Sequence, residues 1–276
     1  MEYNKVICGD SDKILQEMLE EGIKVDLVLT DPPYNLNKDF GNDSDKLPLD
    51  VFLATSKKRI TLCRDLLKDD GSILWFGIHH YIGFIQSIMY EVGLFYRRMN
   101  IWYYENGFST AKTSPMTQYE PFLWFTRSNK KWTYNVDDVR VPYKSTKRLQ
   151  TPVYYANSKG EKVEWKPNPL GSMRGDVWRF PTLAGKAFKK EKTAHPTQKP
   201  EALITEMIKA FCPKNSDGYY EGVVLDPFHG SGTLAVCCEK LNRQGHKINW
   251  IGIELEQKWC DIAQKRLSEI KNAHIV

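Results

Sequence analysis

Apolar and polar residues alternate along most of the chain in two patterns, one typical of buried strands and one typical of amphipathic helices. Short apolar runs at 5–10 (KVICGD), 25–31 (VDLVLTD) and 72–78 (SILWFGI) have the length and composition of strands. The segment between the first two runs has helical spacing, and its apolar face consists of Ile14, Leu15, Met18 and Leu19. This alternation of strands and helices predicts an α/β fold with a mostly parallel sheet.

The rest of the chain continues this alternation on both sides of one irregular segment. Aromatic-rich runs at 96–105 and 119–128 predict two further strands. Towards the C-terminus, the segment 222–233 joins a strand to a glycine-rich turn and a helix, and a last strand at 248–256 precedes a final helix. The helix before the 72–78 strand is expected to end at Gly71, since glycine suits the residue that follows a helix.

The periodic pattern breaks down between residues 135 and 190, where prolines, tyrosines and lysines are mixed. The net charge of the chain is only +5, yet residues 140–200 contain 14 Lys and Arg against 4 Asp and Glu, while the remaining residues contain 25 basic and 30 acidic side chains. We interpret 135–190 as a small, loop-rich insert. Its positive charge indicates either a surface that binds a polyanion or a solvated insert.

Length and composition limit the class of protein. With 276 residues, 41% of them hydrophobic, the chain is long enough for a sizeable core. Its longest apolar runs fall short of the ~20 residues that a membrane helix needs, and its first residues lack the apolar region of a signal peptide. We therefore expect a cytoplasmic protein that binds no membrane and whose six cysteines are reduced core thiols.

The strand at 25–31 ends in an unusual way, with Asp31, Pro32, Pro33 and Tyr34 in succession. Two adjacent prolines remove two backbone N–H donors and fix φ at about −65°, so the segment cannot continue a sheet or begin an ordinary helix. It can instead hold a carboxylate, carbonyl oxygens and an aromatic ring rigidly towards a ligand.

A glycine-rich turn in DPFHGSGT, at 226–233, joins a strand to a helix. Gly230 and Gly232 permit a tight turn and a close approach of a ligand to the backbone. No Gly-Lys-Ser/Thr follows, which disfavours a phosphate-binding loop. About twenty residues further on, Glu254 ends a strand where an acid can accept hydrogen bonds from ribose hydroxyls. This combination favours a nucleoside cofactor without a pyrophosphate over a purely structural turn.

Three motifs in a particular order carry a family resemblance: DPPY at 31–34, HPTQKP at 195–200 and DPFHGSGT at 226–233. With DPPY before the basic insert and the other two after it, the chain resembles the beta-class, circularly permuted S-adenosylmethionine-dependent DNA amino-methyltransferases of bacterial and phage restriction-modification systems. The resemblance covers nearly the whole chain except the insert.

The family implies a fold and a division of the chain. The fold is α/β, with a doubly wound, Rossmann-like, mostly parallel sheet of seven strands. Residues 1–134 and 191–276 would form the catalytic and cofactor-binding domain, and residues 135–190 the target-recognition insert.

The methyl donor implied by the resemblance is S-adenosylmethionine. Asp10 would contact its adenine, Glu254 its ribose, and Lys199 the carboxylate of its methionine part. By position in the motifs, the residues expected to bind the cofactor are Asp10, His195, Thr197, Gln198, Lys199, Asp226, Phe228, Gly230, Ser231, Gly232, Thr233 and Glu254.

The reaction implied by DPPY is methylation of the exocyclic N6 of adenine in duplex DNA. This amine is a poor nucleophile because its lone pair is delocalised into the ring. The Asp31 side chain and the Pro32 carbonyl would accept its hydrogens and favour a pyramidal nitrogen whose lone pair points at the methyl group. Pro33 would keep the turn rigid, and Tyr34 would stack on the base once it has been flipped out. The transfer requires no metal.

The basic insert is expected to contact double-stranded DNA through phosphates or bases. The residues proposed for these contacts are Lys144, Lys147, Arg148, Arg174 and Arg179. A homodimer is also expected, since dimers are common in the class. The sequence leaves open the recognition site and the presence of a cognate restriction endonuclease.

Three alternatives stay open beside the adenine enzyme. A cytosine-N4 methyltransferase would have the same fold and cofactor, although such enzymes usually carry Ser at the position of Asp31. An RNA or protein amine methyltransferase would usually carry Asn-Pro-Pro-Tyr in the unpermuted order. A cofactor-binding DNA-binding module without catalysis would leave the intact Asp31 and Tyr34 unexplained.

Overall fold

The protein is described by a computed structural model that covers residues 2–38, 45–107, 112–145 and 147–272. Its first half contains β1 (Lys5–Cys8), α1 (Ser11–Glu20), β2 (Val25–Thr30), α2 (Leu49–Leu66), β3 (Leu67–Phe76), α3 (Ile82–Glu91), β4 (Phe95–Tyr103) and β5 (Tyr119–Thr126). Its second half contains α4 (Lys147–Gln150), β6 (Val153–Ala156), β7 (Lys162–Trp165), β8 (Val177–Arg179), α5 (Glu201–Phe211), β9 (Glu221–Asp226), α6 (Thr233–Asn242), β10 (Lys247–Glu254) and α7 (Gln257–Asn272). Short 3-10 turns lie at Val136–Val139 and Lys186–Phe188.

One large sheet organises the fold, with strand order β1-β10-β9-β2-β3-β5-β4-β8. The first five strands in this order are parallel, and β5 runs antiparallel to both of its neighbours. The predicted α/β fold with a mostly parallel sheet is thus confirmed. The pairing of β2 with β9 brings the DPPY turn next to the glycine-rich turn, although they are far apart in sequence.

Helices cover both faces of the sheet because its central strands are apolar on both sides. In β2, Leu27 and Leu29 pack into one core cluster and Val28, between them, into the other. The helices α1, α2 and α3 cover the face that includes Val28, whereas α5 and α6 cover the opposite face. This arrangement is the doubly wound fold that the motifs implied. Within the described residues, no helix is long and apolar enough to cross a membrane.

The sheet has eight strands rather than the expected seven, and the additional strand comes from the predicted insert. β8 pairs in parallel with β4, with Trp178 opposite Trp102. Trp178 is 1% exposed and packs edge to face on Phe122, with ring centroids 5.7 Å apart. Its burial explains the pairing, because a tryptophan of this size is stabilised by a place in the core. Part of 135–190 therefore belongs to the main body of the protein.

Within the insert, a backbone bridge between Val141 and Ser172 closes the segment that lies between them. Val141 and Ser172 exchange two backbone hydrogen bonds of 2.9 and 2.8 Å. A Cβ at Gly171 would lie 2.5 Å from the carbonyl oxygen of Val141, so only glycine allows the two backbones to approach in this way. Between the two bridged residues, β6 and β7 form a separate antiparallel hairpin.

Gly71 does not end a helix, contrary to the sequence-based expectation. α2 ends at Leu66 and β3 begins at Leu67, so Gly71 lies inside a strand. A Cβ at Gly71 would lie 3.0 Å from the carbonyl oxygen of Lys68 and 3.2 Å from that of Asp26. The glycine therefore permits close contact with β2 where the register of the two strands shifts.

The expectation that all six cysteines are core thiols also needs correction, since Cys8 is exposed while the other five thiols are buried.

If β8 is an integral strand, Trp178→Ala should lower the free energy of unfolding by about 3–5 kcal/mol, the usual cost of truncating a buried Trp. Urea unfolding, monitored by far-ultraviolet circular dichroism, measures this change. Val177→Ala is the matched control, since Val177 is in the same strand but 45% exposed, and it should cost about 1 kcal/mol or less. Equal effects of the two variants would contradict the assignment.

Candidate active site

The carboxyl ends of β2, β9 and β10 converge on a cleft, and a second, smaller cleft lies beside it. This edge is where parallel α/β sheets bind ligands. Of the predicted catalytic and cofactor residues, those that line the larger cleft are Asp10, Asp31, Pro32, Pro33, Tyr34, His195, Thr197, Phe228, Gly230 and Glu254. The smaller cleft adds Gln198, Lys199, Asp226, Ser231 and Thr233. Gly232 lines neither cleft.

The glycine-rich turn has the backbone conformation that its sequence indicates. Gly230 and Gly232 have φ angles of +52° and +81°, which disfavour other residues. A Cβ at Gly230 would lie 2.9 Å from Nε2 of His195, and one at Gly232 would lie 2.7 Å from the Cβ of Ala263. Gly232 therefore serves the packing of α7 below the turn, which explains why it lies outside the clefts.

Besides Asp31, three carboxylates at or just after strand ends line the clefts, and each has a neighbouring backbone or side-chain donor. Glu254 accepts hydrogen bonds from the amides of Gly230 at 2.8 Å and Glu256 at 2.9 Å. Asp226 accepts from the Thr30 hydroxyl at 2.7 Å and from a nearby amide. Asp10 is the N-cap of α1. Burial raises the pKa of Glu254, and its two amide donors oppose this rise.

A nucleoside fits this set of groups. The turn brings backbone close to the cleft without a phosphate-binding lysine, and the half-buried Glu254 presents an anchored carboxylate that lines the cleft. Phe228 offers an aromatic ring on the cleft wall, with the Arg59 guanidinium 5.1 Å from the ring centroid. Glu254 can thus accept hydrogen bonds from hydroxyls, and Phe228 provides an apolar surface for a flat ring.

The HPTQKP segment bends over the glycine turn and is held by its own side chains. Oε1 of Gln198 accepts from both the amide and the hydroxyl of Thr193, at 2.7 and 2.8 Å, and its Nε2 donates to the carbonyl of Glu191. Gln198 therefore stabilises the loop while it also lines the smaller cleft. The loop sets His195 against Trp259, with ring centroids 4.7 Å apart. Burial, followed by the charge of Lys199, lowers the pKa of His195 to about 4.

Lys199 is held by carboxylates of the protein itself, and its contact with the cofactor carboxylate stays a prediction. Its ammonium is buried, with the side chain 6% exposed, and it pairs with Asp31 and with Glu120, whose Oε2 lies 3.1 Å from Nζ. Rings of Tyr34, Phe76 and Trp102 surround it. A buried cation among aromatic rings requires carboxylate partners, and they are supplied by the protein itself. Burial alone would lower the pKa of Lys199, but Asp31 and Glu120 raise it above the ordinary value.

The DPPY side chains join the same cluster. The Tyr34 hydroxyl donates to Asp31 and lies 3.0 Å from Oε2 of Glu120. Burial raises the pKa of Asp31; Lys199 lowers it and Glu120 raises it further, with a net rise. Burial and the two carboxylates also hold the pKa of Tyr34 well above its usual value.

Glu120 is the residue that sequence reasoning missed. It lies near the start of β5, and the antiparallel direction of β5 brings that start to the edge where β3 and β4 end. The signal was an acidic residue inside the aromatic run YEPFLWF, because carboxylates are seldom buried without a partner. Its partners could not be named without the sheet order.

The proposed DNA-binding residues whose side chains the structure describes fall into two groups. Lys144, Lys147 and Arg179 are exposed, and the Arg179 guanidinium lies 5.0 Å from the centre of the Tyr103 ring. Arg174 is only 11% exposed, donates to the carbonyl of Val139 at 3.0 Å and to Glu206 at 2.8 Å, and is thus a structural residue rather than a DNA contact. The side chain of Arg148 lies outside the described residues.

Comparison with known proteins decides the family. The profile of the DNA methylase family of N6 and N4 methyltransferases matches residues 25–265. The chain belongs to this family. The type II methyltransferase M.HpaI of Haemophilus parainfluenzae is 36% identical over 95% of this chain and 74% of its own length. The DNA adenine methyltransferase YhdJ of Escherichia coli is 29% identical over 96% of this chain and 83% of its own.

A solved structure agrees with the fold of this DNA methylase. The M1.HpyAVI complex with S-adenosylmethionine aligns with a TM-score of 0.65 at 24% identity and covers 95% of this chain and 98% of that one. The resemblance inferred from the three motifs is confirmed, and the protein is a methyltransferase enzyme. S-adenosylmethionine is the methyl donor of this DNA methylase family.

The lowered pKa of His195 predicts a pH dependence of stability. Below pH 6.5 the unfolded chain binds a proton at this histidine, whereas the folded protein binds it only near pH 4. The free energy of unfolding should therefore fall as the pH is lowered from 6.5 to about 4. His195→Asn should lose less stability over this range, as measured by urea unfolding at several pH values. The exposed His80→Asn is the control and should keep the wild-type slope; identical slopes for all three proteins would refute the idea.

Proposed function

We propose that this DNA methylase transfers the methyl group of S-adenosylmethionine to the exocyclic N6 of an adenine flipped out of duplex DNA. The observation that carries the proposal is the position of Asp31, at the end of β2 and directly beside the glycine turn that follows β9. The name of YhdJ, an adenine methyltransferase, supports the choice of base.

The cofactor would be held by the residues that line the two clefts. Glu254 would accept hydrogen bonds from the ribose, Asp10 would face the adenine, and the glycine turn with Asp226, Ser231 and Thr233 would surround the methionine part. Bound there, S-adenosylmethionine supplies an electrophilic methyl group on a positively charged sulfur.

The residues of the DPPY turn would prepare the amine for attack. Asp31 and the Pro32 carbonyl accept its two hydrogens, so the nitrogen lone pair is directed at the methyl group. Pro33 holds this geometry. Tyr34 has its hydroxyl fixed by the two carboxylates and its ring 5.5 Å from the Lys199 ammonium, so we assign base stacking to the face of the ring that turns away from Lys199.

The DNA would lie against the insert. The hairpin β6–β7 exposes Tyr154 and Tyr155, each 52% accessible, and Lys162 lies over the Tyr154 ring at 4.6 Å. Lysines and aromatic rings side by side suit contact with phosphates and bases. Lys144, Lys147 and Arg179 would extend the contact to the backbone of double-stranded DNA.

Three further expectations stay predictions. They are a homodimer, a cognate restriction endonuclease as functional partner, and a cytoplasmic location in a bacterial or phage-infected cell. The type II methyltransferase M.HpaI supports a restriction-modification context.

The decisive experiment identifies the methylated nucleoside. Wild-type protein incubated with S-adenosylmethionine and unmethylated genomic DNA should yield N6-methyladenine by mass spectrometry after digestion to nucleosides. Asp31→Asn should reduce this yield by about 10²–10⁴-fold, because the amide still accepts a hydrogen bond but cannot take up the amine proton, while DNA binding is kept. Asp70→Asn, at a surface pair with Lys131, is the control with full activity.

Other products would change the assignment. N4-methylcytosine would keep the enzyme and overturn the base, and an Asp31→Asn variant as active as wild type would overturn the site. DNA binding without methylation by the wild type would favour the non-catalytic module.

The DNA contacts predict a change in salt dependence. Alanine at Lys144, Lys147 or Arg179 should weaken binding to any duplex and reduce the slope of log K against log salt by about 1 per variant. Fluorescence anisotropy at several salt concentrations measures this slope. Arg174→Lys, at a buried position, should lower stability with little change in the slope. An unchanged slope in all three alanine variants would place the DNA elsewhere.

A further inference from the structure

Glu120 completes a closed ring of four side chains around the methyl-transfer site. Its Oε2 lies 3.0 Å from the Tyr34 hydroxyl and 3.1 Å from Nζ of Lys199. Asp31 bonds to the same two groups, with one carboxylate oxygen for each. Two carboxylates therefore alternate with two donors in a ring that is largely shielded from solvent.

The ring lacks one proton for complete hydrogen bonding. The Tyr34 hydroxyl carries a single hydrogen but faces both Asp31 and Glu120. With both carboxylates ionised, only one of them can receive that hydrogen fully. A proton added to either carboxyl would let it donate to the Tyr34 oxygen while the Tyr34 hydrogen goes to the other. The ring is therefore built to take up one proton.

The charges of the ring support the same conclusion. A lysine paired with Asp31 alone would make that carboxylate a weak base, because the adjacent positive charge favours its ionised form. Glu120 shares the ammonium and adds a second negative charge. Asp31 thus keeps enough basicity to accept a proton, in agreement with its raised pKa.

We propose that Glu120 is a positioning residue for methyl transfer, which holds Asp31 through Tyr34 and Lys199 and receives the proton that the amine releases. The proposal rests on the proposed function in one respect, that an exocyclic amine enters the DPPY site, and it holds for adenine and cytosine alike. It concerns a residue outside all three motifs.

The step balances as follows. The amine nitrogen uses its lone pair to form the bond to the methyl carbon, and the electron pair of the broken carbon–sulfur bond remains on sulfur. The nitrogen then releases one proton to Asp31. Asp31 passes a proton to the Tyr34 oxygen as Tyr34 gives its own hydrogen to Glu120. Asp31 is again a carboxylate, Glu120 is neutral, and Lys199 stays charged; Glu120 returns the proton to water after the product leaves.

Glu120→Gln tests this role, because it keeps the size of the side chain but cannot take up the proton. The single-turnover rate constant should fall by about tenfold or more. The acidic limb of its pH profile should move to lower pH, since removal of a negative charge lowers the pKa of Asp31. The charged and titratable groups that face Glu120 are Asp31, Tyr34, Tyr104 and Lys199.

A second readout needs neither cofactor nor DNA. In protein with isotope-labelled Asp side chains, the Asp31 carboxyl signal, assigned with Asp31→Asn, should titrate at a lower pH in Glu120→Gln than in wild type. Glu91→Gln, at an exposed pair with Lys57, is the matched control and should change neither the rate profile nor the titration.

Either of two results with Glu120→Gln overturns the proposal. One is an unchanged Asp31 titration in a folded Glu120→Gln protein; the other is a lower melting temperature with an unshifted acidic limb, which a merely structural residue would give.

If Glu120→Gln fails to fold, Tyr34→Phe breaks the same link, and it should slow transfer to a similar extent. Where both fold, the double variant should lose no more activity than Tyr34→Phe alone, and additive losses would refute the relay. N4-methylcytosine as the wild-type product would overturn the adenine assignment and leave this test intact.

Discussion

A lysine ammonium removed from water must be paired with carboxylates, and this requirement shapes the centre of the protein. Lys199 satisfies it with Asp31 and Glu120, so the three residues of the cluster come from three distant parts of the sequence. The pairing draws the loop before α5, the DPPY turn and the start of β5 to one point. Removing either carboxylate would leave a buried charge without full compensation, which is far more costly than losing a surface ion pair.

The carboxyl edge of the sheet provides the frame for this cluster. Parallel strands end there together, so the groups that follow β2, β9 and β10 share a cleft. Backbone amides hold the acidic side chains on one side, as at Glu254, whereas on the other side an ammonium and a phenol hold Asp31. One half of the site is thus made of fixed dipoles, and the other of groups that can exchange protons.

Local patterns predicted what depends on local backbone chemistry. The two prolines after Asp31 and the left-handed Gly230 and Gly232 can be read from residue type alone, and the sequence order of the motifs indicated the family. What could not be predicted depends on tertiary contacts. The charges of Arg174 and Lys199 did not reveal that each pairs with a carboxylate from a distant part of the chain.

Strand β8 and Glu120 were missed for related reasons. Three residues are too few to produce a period in the sequence, so only the burial of Trp178 shows that β8 completes the sheet. Glu120 acquires its partners from the antiparallel direction of β5, a property of the whole sheet. Gly71 was wrongly placed because glycine suits both a helix end and a close contact between strands.

The bridge between Val141 and Ser172 has a consequence for the evolution of specificity. It closes the hairpin segment at its base, while β8 and Arg174, just beyond it, are anchored in the core. A change of length or sequence within 142–170, which spares Gly171, therefore leaves the bridge and the strand pairing of the main sheet in place. If this segment recognises DNA as proposed, its exchange between related genes would change the recognised DNA sequence and leave the catalytic machinery in place.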